Sequence, residues 1–138
     1  MSEDININFK MNINNDDQKY EVQFSEQGKR YYKNQKTFIK FKEPLMHELE
    51  YNQLTLICAE DEMQIIRNGH VRMKQKYKEN EQTVGYYNND NLFSEIIAYT
   101  NKYDYSNENI YLNYDIILDN NIIGNYQMEV NIKGVNEG

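Results

Sequence analysis

Apolar and polar residues alternate with a period of two along most of this chain, and helical periodicity is almost absent. Ile5, Ile7, Phe9, Met11 and Ile13 alternate with Asn6, Asn8, Lys10 and Asn12, the pattern of a strand with one buried face. Asn14-Asn15-Asp16-Asp17 reads as a turn. Tyr20, Val22 and Phe24 then open a second strand, which Gly28 is expected to break. Residues 30–33 and 36–42 predict two strands around an Asn34-Gln35 turn, and Pro44, having no N–H for a ladder, ends the run. Leu45, Met46, Leu49 and Leu54 leave residues 45–53 open between one helical turn and a loop. Residues 54–59 are almost continuously apolar, which predicts a strand with both faces covered. Strands are also predicted at 62–67, 70–77, 82–88, 92–100, 109–118 and 122–133, separated by polar turns.

About ten short strands at this spacing specify an all-β sandwich or barrel. The connections are too short for the crossovers that parallel strands need, so the sheet is expected to be an antiparallel meander. Closure into a barrel of about 8–10 strands is the simplest way to hide the edges, with a two-sheet sandwich as the alternative. Residues 1–138 read as a single domain without internal repeat or linker.

Asn68-Gly69 is a strong hairpin signal. As a two-residue loop it pairs Arg67 with His70, Ile66 with Val71 and Gln64 with Met73. One face then carries Gln64, Ile66, Val71, Met73, Gln75 and Tyr77, and this is the expected interior. The other carries Met63, Ile65, Arg67, His70, Arg72, Lys74 and Lys76. A buried glutamine requires partners, so Gln64 and Gln75 imply either tyrosine or water contacts inside, or an amphipathic cavity lined with Tyr77 and other tyrosines. The 13 tyrosines combine apolar bodies with polar tips and suit both arrangements. Arg67 and His70, facing each other, form either a solvated basic pair or an anion contact for a carboxylate head group at the barrel mouth.

Composition narrows the function classes. The net charge of -7 argues against nucleic acid, although His70, Arg72, Lys74, Lys76 and Lys78 form a basic stripe expected to be a solvated strand face. The acidic start lacks a secretory pattern and no apolar run approaches the roughly 20 residues of a membrane span, so a soluble, cytoplasmic protein is expected. Cys58 is the sole cysteine, excludes an internal disulfide, and is expected to be buried and slow to react. No phosphate loop, nucleophile elbow or zinc-binding helix motif is present. Glu60-Asp61-Glu62 lacks the spacing of a calcium loop. No enzyme, cofactor or metal is therefore expected.

The segment Ile65-Ile66-Arg67-Asn68-Gly69-His70-Val71-Arg72-Met73-Lys74-Gln75-Lys76-Tyr77 resembles the signature hairpin of the YwiB-like bacterial proteins, a family of unknown function. The matching positions are Arg67, Gly69, Val71, Met73, Gln75 and Tyr77. The resemblance extends to Gly28-Lys29-Arg30-Tyr31-Tyr32 and Ile110-Tyr111-Leu112-Asn113-Tyr114. It departs at Asn88-Asn89-Asp90-Asn91, where family members carry a turn glycine. It implies a calycin-type, lipocalin-like barrel, a fold whose members often bind small apolar molecules. Two functions follow as expectations. One is a binding barrel for a small amphipathic or apolar molecule, contacted by Gln64, Met73, Gln75 and Tyr77 with Arg67 and His70 at the mouth. The other is a protein-interaction module with a solid core. A cavity of about 300 Å3 or more separates them.

Overall fold

Among the described residues the alternating pattern becomes ten antiparallel strands: β1 (Ser2–Asn15), β2 (Gln18–Lys33), β3 (Lys36–Pro44), β4 (Tyr51–Cys58), β5 (Glu62–Gly69), β6 (Arg72–Lys78), β7 (Gln82–Asn89), β8 (Leu92–Tyr105), β9 (Asn109–Leu118) and β10 (Asn121–Gly134). The computed structural model describes residues 2–44, 51–89 and 92–135. The expectation for residues 45–50 therefore lies outside the described residues, whereas 51–53 belong to β4. Each strand pairs with its sequence neighbours, and β1 pairs with β10 to close the barrel. This is the expected meander. Among the described residues no helix is long and apolar enough to cross a membrane.

Inward positions follow the sequence period. Ile7, Phe9 and Met11 of β1 face Ile132, Val130 and Met128 of β10 across the ladder, and all of them are buried, as is Ile5. Ile39, Leu54, Leu56, Cys58, Met63, Ile65, Ile110 and Leu112 complete a core filled with aliphatic side chains. Cys58 is buried there as expected. The outward Thr55 and Ile57 of β4 are half-buried, so that strand alternates rather than being enclosed on both faces.

Three further expectations are corrected. β2 does not break at Gly28 but runs through it, and there the β2–β3 ladder begins with Gly28 opposite Phe41. A side chain at Gly28 would come within 3 Å of the Lys40 carbonyl and of Ile7, so its absence permits this close approach. β8 continues to Tyr105 across an irregularity between Thr100 and Lys102, beyond its predicted end.

The third correction is the hairpin register. Asn68 pairs with Arg72 and Arg67 with Met73, leaving Gly69, His70 and Val71 as a three-residue loop. Each β5 residue is thus paired three positions further along β6 than expected, and this odd shift inverts the faces of β5 while leaving β6 as expected. Met63, Ile65 and Arg67 therefore point inward with Met73, Gln75 and Tyr77, and Gln64 and Ile66 point outward. The physical reason lies in β4, where Leu56 pairs with Ile65 and Cys58 with Met63. This register fills the core with Met63 and Ile65 and keeps Gln64 out of it. Gly69 serves packing against β4, since a Cβ there would meet the Tyr51 carbonyl at 2.7 Å. The buried Asn52 accepts from the Val71 N–H at 3.2 Å and pins the loop. Two-residue turns with both φ angles positive occur instead at Asn34-Gln35 and Asp119-Asn120.

Candidate ligand cavity

The aliphatic core fills one end of the barrel, and the other end is hollow. There the β2–β3 ladder stops at Gly28, so the described residues give Gln18–Gln27 of β2 no partner on the β3 side. Meanwhile β1, β2, β9 and β10 continue toward the tips of their hairpins. The inward side chains beyond this point line an open cavity of about 300 Å3. Phe9, Met11 and Ile13 of β1, Val22 of β2, Ile96 of β8 and Ile116 of β9 give it apolar walls. Phe9 stacks on Phe24 with centroids 4.8 Å apart, and Tyr114 stacks on Tyr126 at 5.1 Å. Val22 is 44% exposed at the mouth.

The polar part of the lining is Glu43, Arg67, Tyr77, Tyr114 and Tyr126. Glu43 stands in phase with Ile39 and Phe41 on β3, and Arg67 in phase with Met63 and Ile65 on β5. Each is a charged residue placed on an inward row, so each requires a partner. They supply one another. Arg67 Nε donates to Glu43 Oε1 at 3.0 Å and Oε2 at 3.2 Å, and Nη2 donates to Oε2 at 3.1 Å. Asn52 Nδ2 adds a donor to Oε1 at 3.1 Å, and Arg67 Nη1 donates to the Met73 sulfur at 3.2 Å. Their side chains are 18% and 16% exposed, so water screens the pair little.

Burial opposes the charge on Arg67, but the charge and hydrogen bonds of Glu43 outweigh it and hold the guanidinium above its usual range. Burial pushes the Tyr77 and Tyr114 hydroxyls up. Tyr77 is raised further by its hydrogen bond to Tyr114, whose ring lies 4.6 Å away. The cavity thus contains one neutralised ion pair and protonated phenols.

Of the six side chains singled out in the sequence, the structure brings Arg67, Met73 and Tyr77 to this cavity. Gln64 lies on the outer face, and His70 is exposed in the hairpin loop instead of facing Arg67. Gln75 is buried, but its side chain serves the seam between β6 and β7. That ladder covers only Arg72–Lys74 against Tyr86–Asn88. Beyond it Gln75 Nε2 donates to Thr83 Oγ1 at 3.1 Å and to the Lys76 carbonyl at 3.2 Å. Gly85 leaves room for the Gln75 amide, since a Cβ there would come within 3 Å of Oε1. Glu43, Tyr114, Tyr126, Ile96 and Ile116 were missed as site residues. Only Glu43 had a distinct signal, a lone charge in phase with Ile39 and Phe41.

Cys58 sits toward the filled end, in hydrogen-bond contact with Tyr103, with its thiol pushed up to about 12 by burial. The outward stripe of Arg72, Lys74 and Lys76 is exposed, and Lys76 meets Glu62 at 3.4 Å. Among the described residues no three His, Cys, Asp or Glu side chains assemble as a metal site.

Comparison with known proteins identifies the architecture but not the chemistry. The chain is similar in fold to the crystal structure of the ywiB protein from Bacillus subtilis, with a TM-score of 0.83 and 22% identity over 96% of this chain and 92% of that one. No curated protein matches it. A family model described as a domain of unknown function, DUF1934, matches residues 7–130. The chain therefore belongs to this YwiB-like family of unknown function.

Proposed function

We propose that this chain is a non-enzymatic binding barrel that holds a small amphipathic molecule in its hollow end. The observation that carries the reading is the open 300 Å3 cavity with apolar walls and a few convergent polar groups. That combination suits burial of an apolar body with one oriented polar group. The calycin-like meander favours the same reading by analogy of fold. The buried free cysteine fits a reducing, cytoplasmic setting. Cys58 stands apart from the cavity lining and has no activated character, so the reading needs no nucleophile.

Titration with Nile red, an uncharged apolar dye, tests it. Saturable binding of about one dye per chain is expected. Ile116→Trp, which places an indole in the cavity, abolishes binding while the strand spectrum persists. Failure of the native chain to bind, or equal binding by the folded variant, overturns the reading.

A second reading rests on the outer surface. Val84, Ile97, Ile117 and Ile122 pair in succession across β7, β8, β9 and β10, forming an outward apolar row. Val84 and Ile122 at its ends are exposed, and Tyr86 stacks on Phe93 beside it. Such a patch favours an interaction module, and it is compatible with an occupied cavity.

A further inference from the structure

The donor and acceptor balance of the cavity specifies the kind of head group it accepts. We propose that the occupant is an uncharged amphipathic molecule whose polar end is a hydrogen-bond acceptor, such as an ester or amide carbonyl, bound beside Arg67 and Tyr114. The inference rests on the binding-barrel reading above and adds the ligand's charge and polarity.

Glu43 neutralises Arg67 through both carboxylate oxygens, so the pair presents no net charge to an entering molecule. A carboxylate approaching the guanidinium would shed its water, meet a cation already paired, and stand next to a second carboxylate. A cationic head would be repelled by Arg67, and the oxygens of Glu43 already accept from Arg67 and Asn52. An uncharged head avoids both penalties.

The spare capacity is on the donor side. A guanidinium has five N–H groups. Among the described residues three are engaged, one each from Nε, Nη2 and Nη1, the last only with the weak thioether acceptor of Met73. Two donors are left without a partner among the described residues. The Tyr77 and Tyr114 hydroxyls contact one another and burial keeps both protonated, so one of the two O–H groups keeps its proton to donate. An acceptor oxygen at this point answers the unused donors, while the apolar remainder lies against Phe9, Met11 and Ile116.

The test is competition with bound Nile red at pH 7 by methyl octanoate, octanamide, octanoate and octylammonium, which share an alkyl tail and differ in the head. The ester and amide are expected to compete at least about tenfold more tightly than either ion. Glu43→Gln removes the carboxylate and leaves the guanidinium unpaired, so octanoate should gain at least about tenfold relative to the ester. Octanoate or octylammonium matching the neutral compounds on the native chain overturns the inference, as does competition by no member of the series, and neither result depends on a variant folding. An unchanged ratio in folded Glu43→Gln also overturns it. Nile red binding without the neutral preference removes only the head-group inference, whereas absence of dye binding removes the binding-barrel reading itself.

Discussion

Replacing Arg67 by Met tests whether the Arg67–Glu43 pair is a buried, mutually dependent unit. Methionine keeps most of the aliphatic stem against Met73 but removes the fork that engages both oxygens of Glu43 at 3.0, 3.1 and 3.2 Å. Glu43 is then left with Asn52 as its remaining donor among the described residues, in a site where its side chain is 16% exposed. Removing one member of a fully buried pair costs about 3–5 kcal/mol, and the residual exposure here moves the expectation to about 2–3 kcal/mol. Against a total stability on the order of 5–15 kcal/mol, that is a large fraction. Adding Glu43→Gln to Arg67→Met removes the stranded charge, so the double variant should recover about 1–2 kcal/mol of the loss. Urea unfolding of native, single and double variants gives the coupling energy directly, expected at about 1–3 kcal/mol. Additivity of the two single losses within about 0.5 kcal/mol would refute the reasoning and mean that the two groups are separately solvated.

Gly85→Ala should destabilise the fold by about 1–3 kcal/mol in the same assay, because the new methyl meets the Lys74 carbonyl as well as the Gln75 amide within 3 Å; an unchanged midpoint would contradict the seam geometry. Gln75→Leu should leave Nile red affinity unchanged, since its side chain serves the β6–β7 seam, and should alter stability by no more than about 1 kcal/mol. It loses the bonds to Thr83 and Lys76 but also removes an Oε1 that is buried without a partner among the described residues. Cys58, raised from 9.0 to about 12, holds its proton in the folded state while the unfolded chain loses it. Stability should therefore fall as pH rises from 9 toward 12, by up to about 1.4 kcal/mol per pH unit from this group. Cys58→Ala should flatten that slope, and equal slopes in both proteins would exclude the linkage.

The meander and its closure were legible because period-two alternation is a local property, repeated strand after strand. Cys58 was legible for the same reason, lying in phase with Leu54 and Leu56. The hairpin register was not, because Asn68-Gly69 is a local signal and the decision was made by β4. Pairing Leu56 with Ile65 fills the core, and it places Gly69 against the backbone of Asn52. The turn in isolation therefore predicts an inverted β5, with Gln64 inside in place of Ile65 and Arg67 on the outer face. Glu43 and Arg67 stand on β3 and β5 with β4 between them. Their pairing emerges only when three strands are registered together, although each charge already interrupts an inward apolar row. The alternation of β6 puts Gln75 inside, where it is buried, but its direction depends on the short β6–β7 ladder and on Gly85, neither of which leaves a signature in the alternation.

The proposed occupant of the hollow end, a small uncharged molecule, is open to direct detection. Native mass spectrometry of the full chain, purified from its own host without organic solvent, measures this most directly. A non-covalent adduct is expected that is lost on denaturation, is uncharged when released and analysed, and is absent from Ile116→Trp prepared in parallel. A native chain that carries only its own mass and also fails to bind Nile red would contradict it, as would an adduct retained in full by the folded, cavity-filled variant.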